Sequence, residues 1–179
     1  MKAPRWPEFH LPAWLNTCCA TAGGQEPLDR HEAIAERTLN FIQALMQHTR
    51  QAANLKYWQV ENEPFTRLEI TAGRYLSYEF VQREVALVRS LTLPDQKVLL
   101  TNALSLPAAA DAGEERDFQK SLMLADAVGM NVYTKVPVGH ASSYLEPQEA
   151  YWTKLQHWQS TLVSNGKEDW IAEVQAEPW

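Results

Sequence analysis

The sequence predicts an α/β fold built from parallel strands covered by helices. Two observations predict it. Helical apolar stripes alternate with short β-branched runs along the whole chain, and one strand-plus-helix unit takes about 40 residues. That period fits a segment of a (β/α)8 barrel or a small doubly wound parallel sheet. Four strands do not close a barrel, which typically needs ~250 residues.

The first predicted helix runs over 29–52, with Ile34, Thr38, Phe41, Ile42 and Leu45 as its apolar stripe. Asp29 and Glu32 resemble a capping box at its start. A strand over 55–61 follows, with Trp58 and Val60 on one face and Gln59, Glu61 and Glu63 on the other. The next helix covers 71–91, with Tyr78, Val81, Val85 and Val88 repeating at three and four. The second strand is Lys97-Val98-Leu99-Leu100-Thr101.

A third helix is expected over 114–127, carrying Phe118, Leu122 and Ala125, with Gly129 stopping it. The third strand is Met130-Asn131-Val132-Tyr133-Thr134. A fourth helix begins near Pro147 with the stripe Tyr151, Leu155, Trp158 and Leu162, and Asn165-Gly166 ends it. The last strand is Trp170-Ile171-Ala172-Glu173-Val174.

Composition narrows the function. The chain has 179 residues, 45% hydrophobic and 21% charged, which suits one globular domain and excludes a fibrous or disordered chain. A net charge of −6 argues against a nucleic-acid partner, which needs a basic face. No apolar run is long enough to span a membrane. The N-terminal stretch lacks the charged-then-apolar plan of a secretory signal. Cys18 and Cys19, the only cysteines, are adjacent and read as incidental thiols. His31-Glu32 lacks the second histidine of a zinc-protease motif, and Gly23-Gly24 is not followed by a phosphate-loop lysine. No metal and no cofactor is expected.

Parallel α/β folds put their chemistry at the carboxyl ends of strands. The first strand here ends in Glu61-Asn62-Glu63-Pro64, and the last ends in Glu173, with Gln175 and Glu177 beyond. A pair of carboxylates at two strand ends is what glycoside hydrolysis requires. The segment Tyr57-Trp58-Gln59-Val60-Glu61-Asn62-Glu63-Pro64 resembles the fourth strand of clan A glycoside hydrolases, which are (β/α)8 barrels. The general likeness is to the cellulase-like family 5 and β-galactosidase-like members of that clan.

The resemblance implies a partial (β/α)8 TIM barrel, a single domain over 1–179 running from about strand four to strand seven and lacking strands one to three and eight. It implies a retaining glycosidase acting on an oligo- or polysaccharide or other glycoside. Glu63 is then the acid/base, Asn62 holds the sugar 2-hydroxyl, and Glu173 is the nucleophile, with Glu177 as the alternative. Tyr133 resembles the tyrosine that the clan often sets beside the nucleophile.

Trp6 and Trp179 are candidate sugar platforms, since sugar C–H faces stack on flat rings. His10 and Glu61 are candidate sugar contacts; an ion pair inside the barrel is the other reading of Glu61. Trp58, Trp152 and Trp158 are expected in the core. A half-barrel exposes sheet edges and the apolar inside of its sheet, so the isolated chain is expected to be poorly stable and inactive. The alternative function is a non-catalytic carbohydrate-binding or degenerate barrel protein.

Overall fold

The computed structural model describes residues 26–67, 75–104, 106, 112–138 and 143–175. Four α-helices occur among them: α1 (Glu32–Thr49), α2 (Tyr78–Leu91), α3 (Ala112–Leu124) and α4 (Glu149–Ser164). The strands are β1 (Tyr57–Asn62), β2 (Lys97–Ala103), β3 (Ala127–Val132), β4 (Val136–Val138), β5 (Ser143–Leu145) and β6 (Glu168–Val174). Four of them form one parallel sheet in the order β1-β2-β3-β6, following the sequence without reversal. β4 and β5 form a separate antiparallel hairpin. The sequence pattern did not predict that hairpin, because three-residue strands are too short to show a period.

The chain divides into two compact units: Met1–Val60 with Pro64–Val98, and Glu61–Glu63 with Leu99–Trp179. In the first unit α1 and α2 pack together. The α2 stripe lies where expected, with Val81, Val85 and Val88 buried. The α1 stripe does so only in part. Ile34, Ala35 and Met46 are buried, whereas Phe41 and Leu45 are exposed. The expected stripe holds at Ile34 and is half-buried at Thr38 and Ile42, and Met46, outside it, is buried in place of Phe41 and Leu45.

The capping box is also corrected. Asp29 sits in a 3-10 turn (Leu28–Arg30) before α1, and His31 occupies the N-cap without a side-chain bond. The Asp29 carboxylate instead accepts from the Ser77 amide (2.7 Å) and hydroxyl (2.6 Å). Ser77 then caps α2 by accepting from the Phe80 amide at 3.1 Å. A short polar residue near a helix start satisfies whichever orphan donors the tertiary structure brings to it. Nearby, Gln96 accepts from Trp58 Nε1 (3.0 Å) and donates to the Arg50 carbonyl (2.8 Å), leaving Trp58 half-buried.

The second unit holds β3 at its centre, with all six residues buried. The α4 stripe (Tyr151, Leu155, Trp158, Leu162) is buried as expected, and Trp158 stacks on Phe118 of α3 with ring centroids 4.5 Å apart. Trp152, expected in the core, is 40% exposed and touches Tyr151 edge-on. The end of α4 follows its sequence signal. Gly166 takes φ +67°, its amide donates to Val163 O, and the Lys167 amide donates to Leu162 O (both 3.0 Å). This is a Schellman motif, which only glycine enters without strain.

Gly129 does not stop a helix. It lies inside β3, which begins at Ala127 and ends at Val132, so Tyr133 and Thr134 lie past the strand. A β-carbon on Gly129 would stand 2.8 Å from the Ala172 Cβ and 3.1 Å from the Thr101 Cγ2. The glycine is there to let β2, β3 and β6 approach, a need that no local pattern reveals.

Candidate active site

The site lies within the second unit, at the carboxyl ends of its strands. It begins with a backbone irregularity. Side chains alternate along a strand, so Asn62 and Glu63 should face opposite ways. Glu63 has φ +52°, the left-handed region that a residue with a Cβ seldom enters. The alternation breaks there, and both side chains reach the same partner. Asn131 Nδ2 donates to Asn62 Oδ1 at 3.0 Å and to Glu63 Oε1 at 2.6 Å. Glu61, half-buried in β1, shares a face with Glu63 only in a regular strand, and the strand stops being regular at Glu63.

A second irregularity acts on β6. The register with β3 runs Gly129↔Trp170 and Met130↔Ile171, then slips so that Asn131 pairs with Glu173. Skipping Ala172 reverses the facing of everything beyond it, as a bulge does. Glu173 thereby joins the group around Asn131. The Tyr133 hydroxyl, just past β3, lies 3.4 Å from Glu63 Oε1 and 3.3 Å from Glu173 Oε2. The two carboxylate oxygens it bridges are therefore within about 7 Å, a bound that admits the ~5–5.5 Å spacing of a retaining carboxylate pair.

The supports are polar, with Thr101 buried and Gln175 half-buried. The Thr101 hydroxyl donates to Asn62 Oδ1 at 2.6 Å, and the Glu63 amide donates to the Thr101 carbonyl at 3.2 Å. Gln175 holds the segment after Tyr133. Its Oε1 accepts from the amides of Thr134 (2.8 Å) and Lys135 (2.7 Å), and its Nε2 donates to the Lys135 carbonyl (2.8 Å).

The two carboxylates live in different surroundings. Glu63 is half-buried, and its carboxyl is held above the usual value of 4.5, first by burial. The Asn131 hydrogen bond opposes the rise, the Glu173 charge adds to it, and the Tyr133 hydrogen bond opposes it. Glu173 is exposed. The Tyr133 phenol is pushed well above 10 by burial and by the two neighbouring carboxylates, so it stays protonated and remains a donor.

Of the residues singled out from the sequence, Asn62, Glu63, Tyr133 and Glu173 come together. Trp6, His10, Trp179 and Glu177 lie outside the described residues. Sequence reasoning gave no role to Asn131, Thr101 or Gln175. Asn131 had a signal: an amide side chain between Met130 and Val132 in an apolar strand is a buried polar group in need of partners. Among the described residues no group of three or more His, Cys, Asp or Glu could hold a metal ion. None of their helices is long and apolar enough to cross a membrane.

No family model matches the chain, and no curated protein matches it.

Proposed function

We propose that this chain carries the catalytic carboxylates of a retaining glycoside hydrolase of the clan A kind, in a partial (β/α)8 barrel spanning about strands four to seven. The observation that carries the reading is Tyr133, whose hydroxyl touches both Glu63 and Glu173. The strand order supports the barrel, because a doubly wound sheet reverses its order at a switch point and this one does not.

Each residue has a role that its surroundings favour. Glu63, made a weaker acid by burial, protonates the leaving oxygen. Glu173 attacks the anomeric carbon, and Glu63 then takes a proton from the water that releases the sugar. Tyr133 has one proton to donate, to Glu63 or to Glu173, and holds the nucleophile in register. Asn62 already accepts through Oδ1 from Thr101 and Asn131, which leaves its Nδ2 to donate to a sugar hydroxyl.

A second reading is a non-catalytic carbohydrate-binding protein derived from such a barrel. It is favoured by the exposure of β6, where Trp170, Ile171 and Val174 are open to solvent beside Glu173. Water around the nucleophile weakens the electrostatics that the reaction needs.

The test is a panel of aryl glycosides and oligosaccharides, with the anomer of the first product followed by NMR. Hydrolysis with retained configuration, lost in Glu63→Gln and Glu173→Gln, supports the catalytic reading. Oligosaccharide binding without turnover supports the second. Turnover that survives both substitutions overturns the assignment, whereas a chain that neither binds nor cleaves is what an incomplete barrel is expected to give.

A further inference from the structure

Glu63 is held unevenly. Asn131 Nδ2 and the Tyr133 hydroxyl both approach the same oxygen, Oε1. Among the described residues no hydrogen bond reaches Oε2. An oxygen that accepts from two donors is disfavoured as the seat of a proton, because a hydroxyl there would point its hydrogen at other hydrogens. Asn131 cannot easily turn away. Its side chain is fully buried, and Nδ2 is also committed to Asn62, which is pinned in turn by the Thr101 hydroxyl.

We propose that Asn131 is a positioning residue for the proton of Glu63: it fixes Oε1 as an acceptor, so that the proton is carried and delivered on Oε2. This rests on the reading of Glu63 as the proton donor, and it names the atom that faces the leaving group. The titratable groups facing Glu63 are Glu173 from β6 and Tyr133 after β3. Asn62, Thr101 and Asn131 complete its surroundings with neutral groups. Neither titratable neighbour provides the same constraint. Glu173 repels the ionised form, and the hydroxyl of Tyr133 is shared between two carboxylates.

Asn131 Oδ1 is buried with no partner. In the opposite orientation this oxygen would face Asn62 Oδ1, which accepts from Thr101, so the orphan is the consequence of holding the donor against Glu63. An unsatisfied acceptor is tolerated when the alternative sets two acceptors against each other.

The experiment needs no sugar. The full chain is labelled with glutamate carrying 13C at the side-chain carboxyl, and the Glu63 signal is assigned by its loss in Glu63→Gln. The titration midpoint is read by NMR, and the carbonyl stretch of the protonated acid by isotope-edited infrared spectroscopy. In Asn131→Leu the midpoint should rise by about one unit, since a donor to the carboxylate has gone. The stretch should rise as well, since the C=Oε1 bond loses a donor.

Asn131→Asp keeps the shape and serves if the leucine variant does not fold. There, Glu63 and the introduced carboxyl should titrate in two separated steps. A folded Asn131→Leu chain with the midpoint unmoved, or with the midpoint moved and the stretch unmoved, overturns the proposal. So does an Asn131→Asp chain whose Glu63 titrates as in the original. If the shifts occur but Glu63→Gln leaves glycoside turnover intact, the role of Asn131 toward the Glu63 proton stands and the glycosidase reading falls.

Discussion

The two acidic strand ends of the second unit make the instructive comparison. At the end of β1, Glu63 is half-buried, fixed in a left-handed backbone and held through Asn131. At the end of β6, Glu173 is exposed on a strand with most of its residues open to solvent. The side chains are chemically identical. Burial holds the proton of one more tightly, and the other lies open to water. Both were brought to one place by a departure from regular strand geometry: a positive φ in one, a register slip in the other. The difference teaches that role here is set by surroundings rather than by residue type.

Substituting each carboxylate should sharpen this comparison most. On the proposed glycosidase reading, Glu63→Gln should cost about 10²–10⁴-fold in turnover on glycosides with poor leaving groups. The loss should shrink as the leaving phenol becomes more acidic, because such a group departs without a proton. Glu173→Gln should cost at least as much and show no such dependence. A plot of log turnover against leaving-group pKa for the two variants separates them, and equal slopes would break the distinction.

Next in size is the support under β6. Gly129→Ala forces a methyl to within 2.8 Å of the Ala172 Cβ, and neither backbone can easily yield. About 1–3 kcal/mol of stability should be lost, read by urea unfolding. Because Ala172 lies at the slip that aims Glu173, turnover in the folded fraction should fall as well.

Gly166→Ala sits at the turn leading into β6 and has open space around it. It should cost only about 1 kcal/mol, from strain at φ +67°. Turnover in the folded fraction should be unchanged.

The smallest effect is a gain. The Glu63 carboxyl is raised above its unfolded value of 4.5, so the folded state holds that proton more tightly than the unfolded chain does. The stability linked to it is complete below pH 4.5 and is lost as pH rises through the folded value. Glu63→Gln should therefore be more stable than the original at pH 7, with the advantage vanishing near pH 4. Thermal melts across that window check it, and an advantage independent of pH would argue against burial as the cause.

The alternation of helices and strands, the buried stripes of α2 and α4, and the glycine end of α4 were legible in the sequence. They are local: a period or a turn residue states them without help from distant parts of the chain. The candidate pair Glu63 and Glu173 was legible only as two strand ends. Asn131 was visible as a polar residue in an apolar strand, without its partner.

The tertiary structure alone decided the rest. It left Phe41 and Leu45 of the α1 stripe exposed and buried Met46, gave Asp29 to Ser77, and put Gly129 in a strand where three backbones crowd. It also turned Glu63 and Glu173 toward the same tyrosine. Strand parity is a rule of two, and a single left-handed residue or one skipped pairing reverses it. Such departures are held in place by contacts with other strands, so neighbours in sequence carry no trace of them.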